Sequence, residues 1–101
     1  MLKKRGSKGF NVISLPYETK IYTNNQVLLP ARLVRKLRLK SITKARITIE
    51  YKGKIATFEA RLISMRKTDS RQFTIPKDIR EGLNLDPAST IKIVNIEKAI
   101  A

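Results

Sequence analysis

The chain repeats itself at a spacing of 46 positions (Pro30 to Pro76), and that repeat limits the folds open to it. Gln26 is matched by Gln72, Leu37 by Leu83, Leu39 by Leu85 and Ile47 by Ile93. Conservative pairs fill the gaps: Val27 with Phe73, Leu29 with Ile75, Leu33 with Ile79, Thr43 with Ser89 and Arg46 with Lys92. The repeated unit reads as turn, strand, proline, short helix, loop, strand. A unit of this size buries too little surface to fold alone, so two copies must share one core. At 101 residues the chain has room for a single domain. The expected fold is mainly β with two short α-helices and a pseudo-two-fold axis. We expect one domain over residues 10–101, made of repeats at about 16–58 and 59–97, preceded by a basic, disordered arm over residues 1–9.

Local patterning predicts the elements. Phe10–Ser14 is weakly strand-like and ends at Pro16. Glu18–Thr23 and Gln26–Leu29 flank the turn pair Asn24-Asn25. Pro30 stands where a helix can begin, and residues 31–39 place Leu33, Val34 and Leu37 on one face, with Arg32, Arg35 and Lys36 on the other. Ala45–Tyr51 alternates as a half-buried strand, and Lys52-Gly53 is a tight turn. A long strand is expected from Lys54 to about Met65. Its apolar phase shifts from Phe58, Ala60 and Leu62 to Ile63 and Met65, which predicts a bulge or bend. Arg71–Ile75, a second helix after Pro76 with Ile79 and Leu83 inward, and a final strand over Thr90–Glu97 complete the second unit.

Charge narrows the function. The chain carries 22 Lys and Arg against 8 Asp and Glu, a formal charge of +14. Self-repulsion on so small a body costs stability, and a polyanionic partner makes that cost useful. With no Cys and no His, the usual thiolate nucleophile, imidazole base and zinc ligands are absent. The carboxylates are scattered, and no glycine-rich phosphate loop is present. We therefore expect a protein that is not an enzyme, with no cofactor, no metal and no small-molecule substrate. Neither a signal peptide nor a membrane span is evident in the sequence, so the expected setting is cytoplasmic and nucleoid-associated, with no membrane partner.

The segment Arg71-Gln72-Phe73-Thr74-Ile75-Pro76-Lys77-Asp78-Ile79-Arg80-Glu81-Gly82-Leu83-Asn84-Leu85 closely resembles the signature of the AbrB/SpoVT swapped-hairpin family, and Gln26–Leu39 resembles it more loosely. The resemblance covers most of residues 18–97. It implies an interleaved, MazE-like β-barrel built from two copies of the unit, here in one chain. It also implies DNA binding by basic residues of the first hairpin and the helix, as in transcription regulators and antitoxins. By position, that points to Arg80 and Arg35, and to Lys20 and Arg66 before the two hairpin turns. The chain departs from the family at Leu28 and Val34, and at Ile42-Thr43 and Ala88-Ser89, where Gly-Asp is usual. The second copy lacks a fourth strand, and Phe10–Ser14 is expected to supply it.

The candidate DNA-contact residues are Lys20, Arg32, Arg35, Lys36, Arg38, Lys44, Arg66, Lys67, Arg71, Lys77 and Arg80. The first copy is expected to dominate. Residues 30–54 hold Arg32, Arg35, Lys36, Arg38, Lys40, Lys44, Arg46, Lys52 and Lys54 against Glu50 alone, whereas residues 76–97 hold more acids than bases. Arg61 and Lys92, with acidic neighbours, read as ordinary surface charge, and Tyr17, Tyr22 and Tyr51 as packing residues. The expected partner is double-stranded DNA, bound by a transcription regulator or a chromatin-like architectural factor. An antitoxin, an RNA- or ribosome-associated module and an acidic-protein binder are the alternatives. A monomeric pseudo-dimer and a swapped homodimer are both open.

Overall fold

The computed structural model describes residues 14–22, 24–64 and 67–99. In chain order the elements are β1 (Tyr17–Lys20), β2 (Gln26–Leu29), α1 (Ala31–Lys36), β3 (Lys44–Tyr51), β4 (Lys54–Arg61), β5 (Ile63–Ser64), β6 (Arg71–Thr74), α2 (Lys77–Leu83) and β7 (Thr90–Lys98). Displaced by 46 positions, β1 begins where β5 begins, α1 where α2 begins and β3 where β7 begins. The first strand is set one residue earlier than Glu18–Thr23 and is shorter, because from Tyr22 the chain closes a turn, with the Tyr22 N–H bonded to Gln26 O.

Both helices start and stop by the same device. Pro30 and Pro76 cap them with nearly identical backbone angles, φ −61° ψ 151° and φ −59° ψ 150°. Proline's fixed φ favours a helix start, and its missing N–H leaves no donor unsatisfied there. At the other end Arg38 and Asn84 take the left-handed conformation, at φ 59° and 57°. Leu39 N–H then bonds Val34 O and Leu85 N–H bonds Arg80 O, both at 2.9 Å, closing Schellman turns. This turn ends α1 at Lys36, short of the 31–39 span that apolar spacing suggests. Asn tolerates a positive φ; Arg does so at a cost. Arg38→Gly is expected to raise the unfolding free energy by about 0.5–1 kcal/mol, read from the urea midpoint.

Two antiparallel sheets enclose the core. One has the order β1-β7-β3-β4 and the other β2-β6-β5. The central pair of each, β3–β7 and β2–β6, joins one repeat to the other. Neither repeat therefore has a sheet of its own, and the two copies must fold together. Inward positions follow the period-two pattern: Val27, Leu29, Ile47, Ile49, Phe73, Ile75 and Ile93 have no exposed surface, and Leu33 and Val34 of α1 join them. Lys52 and Gly53 both take positive φ, 50° and 82°, as a two-residue hairpin turn between β3 and β4 requires.

Two expectations change. The long strand from Lys54 is split: it leaves the four-stranded sheet at Leu62, whose N–H bonds Thr43 O, and Ile63–Ser64 join the three-stranded sheet. The apolar phase shift marks that change of sheet, with Met65 outside the described residues. The expected barrel is not closed: β1 pairs with β7 on one edge and β2 with β6 on one edge, and β1 and β2 do not pair with each other. Along Thr90–Ile93 β7 pairs with β1; the expectation that Phe10–Ser14 supplies a fourth strand falls on residues 10–13, which lie outside those described, as does the basic arm over 1–9. No helix among the described residues is long and apolar enough to cross a membrane.

Candidate nucleic-acid interface

Acids and bases are distributed differently over the surface. Glu18, Glu50, Glu59 and Glu97 lie on the outward face of the four-stranded sheet. In register there, Arg46 stands between Glu59 and Glu97, and Lys92 between Glu18 and Glu50. Glu59 accepts from Arg46 Nη2 and Lys44 Nζ, each at 3.4 Å. This face is close to neutral.

The surroundings of α1 are not. Its six residues cannot hold a helix unaided, so Leu33 and Val34 are driven into the core and Arg32, Arg35 and Lys36 are left on the solvent side. The partial negative charge at the helix C-terminus favours Arg35 and Lys36 in the last turn. Arg38 and Lys40 follow, both exposed. A carboxylate reaches this group: Asp69, from the loop between β5 and β6, lies 3.0 Å from Arg35 Nη1 and 3.6 Å from Lys40 Nζ. Exposed Lys67 lies two positions before it.

The hydrogen bond from Arg35, followed by the charge of Lys40, holds the Asp69 carboxyl below the usual carboxylate range. A carboxyl depressed in the folded state favours folding above its ordinary value, and that contribution fades as pH falls through the lower, folded value. The Asp69 pairing is thus intact at neutral pH and is lost only in the acid range, below about pH 4. At neutral pH the carboxylate competes with any phosphate for Arg35 and Lys40. Asp69→Asn is therefore expected to tighten duplex DNA binding about eightfold at about 0.1 M salt, the effect of one further phosphate contact. Equal affinities of variant and parent in an anisotropy titration would remove Asp69 from the interface.

Arg71 requires a correction. Expected as a DNA contact, it is only 8% exposed. Its Nη1 donates to Asp69 O (2.9 Å) and Ser70 O (3.0 Å), and its Nη2 to Lys40 O (3.1 Å). These bonds offset the cost of burying the guanidinium. They also clamp the Asp69 loop to the turn after α1, so Arg71 positions the basic cluster and offers no free face to a phosphate. The sequence held the signal: Arg71 shares its alternation phase with Phe73 and Ile75. Lys40, absent from the expected set, belongs to the cluster through Asp69.

The remaining candidates separate. Arg80 occupies the position equivalent to buried Val34; it is half-buried and its Nε donates to Ile75 O at 3.0 Å. Lys77 lies 4.0 Å from Glu81, and Asp78 and Asp86 are near it in sequence, so α2 is the less basic helix. Lys44 sits at the margin of the neutral sheet face beside Glu59. Lys20 is exposed at the end of β1. Arg66 lies outside the described residues. Tyr17 belongs to the core, where burial pushes its hydroxyl above the ordinary value and the Thr19 hydrogen bond partly opposes it.

Comparison of the chain with protein-family models, with curated proteins and with solved structures finds no match.

Proposed function

We propose that the protein binds duplex DNA through the shoulder formed by α1 and the turn after it, and that it serves as a transcription regulator or architectural factor at the nucleoid. The observation that carries this reading is the local charge imbalance. Arg35 and Lys40 share the Asp69 carboxylate, and the exposed cations Arg32, Lys36, Arg38 and Lys67 lie on the same helix, on the turn after it or on the Asp69 loop, on a body of charge +14. Arg38 adds support: the chain keeps a long cation at a positive φ of 59°, where the second copy has the better-suited Asn84. Cations held at backbone cost fit a surface selected for its partner.

We further propose that the chain is a tandem swapped-hairpin protein of the AbrB/SpoVT kind. Equivalent elements recur at one spacing, and the central strand pairs run between the copies, as interleaved hairpins require.

The test is fluorescence anisotropy with a mixed-sequence duplex and a single-stranded RNA of equal length, across a salt series. The duplex is expected to bind more tightly. A log–log salt slope of about −4.5 is expected if five of the six cations each neutralise one phosphate and Asp69 offsets the sixth. Equal or tighter RNA binding, or a duplex affinity indifferent to salt, would refute the proposal.

A further inference from the structure

Consecutive strands β1 and β2 lie in different sheets and do not pair, whereas their counterparts β5 and β6 do, Ile63 with Gln72 and Ser64 with Arg71. The broken symmetry leaves a groove of about 810 Å³ along the seam, with apolar lining from Tyr17, Leu28, Pro30 and Ala31, and with Lys20 and Arg32 as cations against Glu18.

Strand edges line this groove. Ile21 N–H bonds Ser89 O across the β1–β7 ladder. Alternation along an antiparallel ladder then turns the main-chain groups of Tyr17 and Thr19 towards β7, and those of Glu18 and Lys20 towards the groove. On β2, Ile75 N–H bonds Asn25 O, so Val27 and Leu29 face β6 and Leu28 turns its N–H and C=O outwards. Backbone donors and acceptors above an apolar floor fit an extended peptide, whose own ladder they complete.

Charge selects the kind of peptide. At +14 per chain, a second copy is repelled and an acidic segment is attracted. We propose that the groove is a docking site for an extended acidic peptide with alternating apolar residues, which adds a strand at the seam between β1 and β2. Its apolar side chains rest on Tyr17, Leu28 and Ala31, and its carboxylates face Lys20 and Arg32. The four residues of β1 span about 13 Å, so four or five peptide residues engage. The groove shares Arg32 with the DNA reading, whereas Arg35, Lys36 and Arg38 do not line it.

The probe is a blocked peptide of alternating glutamate and valine, about seven residues long, titrated into the full-length, nitrogen-15-labelled protein. Its expected effect is to shift the amide signals of Glu18, Lys20 and Leu28. The same peptide N-methylated along its backbone is expected to bind at least about tenfold more weakly, since it keeps the charge and loses the ladder. Replacing its glutamates by lysine is expected to abolish binding. Equal binding of the N-methylated peptide, or shifts confined to Arg35 and Lys36, would reduce the interaction to unspecific charge attraction and overturn the proposal. Absence of shifts at millimolar peptide would overturn it as well. Displacement of the peptide by oligothymidylate, with the same amides shifting, would assign the groove to nucleic acid instead.

Discussion

The double variant Arg35→Ala/Lys36→Ala is expected to bind duplex DNA about 60-fold more weakly at about 0.1 M monovalent salt, and to lower the steepness of its salt dependence by about 1.8. The two figures are one effect. Each lost phosphate contact removes about 0.9 from the log–log slope, and two contacts over a tenfold dilution from 1 M amount to about 1.8 decades. Both side chains are exposed on the last turn of α1, and neither packs in the core, so the fold is expected to survive the change. Arg35 gives up only its exposed pair with Asp69, which is 51% and 30% exposed on its two sides. Lys77→Ala, on the more acidic second helix and beside Glu81, is the matched control and is expected to change affinity far less. Equal losses from the two helices would mean that the faces act symmetrically, despite their different charge.

Phe73→Ala is expected to cost about 3–5 kcal/mol in stability. The ring is wholly buried, it stands opposite Val27 in the β2–β6 pair, and its centroid lies 6.0 Å from that of Phe58 on the four-stranded sheet. It therefore bridges the two sheets, and a close-packed interior relaxes only in part around the space it would leave. A domain of this size has a total stability of about 5–15 kcal/mol, so the variant sits near the edge of folding. A fall in Tm of about 15–30 °C is the thermal counterpart, by the usual scaling for small domains. A loss below about 1 kcal/mol in urea unfolding would mean that the sheets are not joined through this ring.

Much of the fold was legible because its causes are local. Alternation over Ala45–Tyr51, the prolines at 30 and 76, and the Lys52-Gly53 turn act through neighbouring residues, and each sits where the sequence places it. The positive φ at Arg38 was hidden, since arginine is not a residue that advertises a left-handed turn. The equivalent position, Asn84, offered the only hint. The open seam was hidden for another reason. That β1 pairs with β7 and leaves its other edge unpaired is decided by segments far apart in the chain, which local patterning does not report.

The basic cluster divides in the same way. Composition and the charge run over residues 30–54 pointed to α1, because charge is a property of the residues themselves. Which cations face outwards was decided by tertiary structure. Arg71 shares its alternation phase with Phe73 and Ile75, but only the folded β2–β6 register sets it opposite Leu29 and onto the carbonyls of Lys40, Asp69 and Ser70. Asp69 is 34 residues from Arg35 along the chain, and only the folded loop brings its carboxylate to 3.0 Å. By itself, the sequence determined the repeat, the helix starts, the apolar faces and the excess of positive charge, all of which arise from residue type and short spacing. The tertiary structure decided the sheet partition, the open groove and the pairing of each cation, because those depend on which distant segments win the same hydrogen bonds and the same volume.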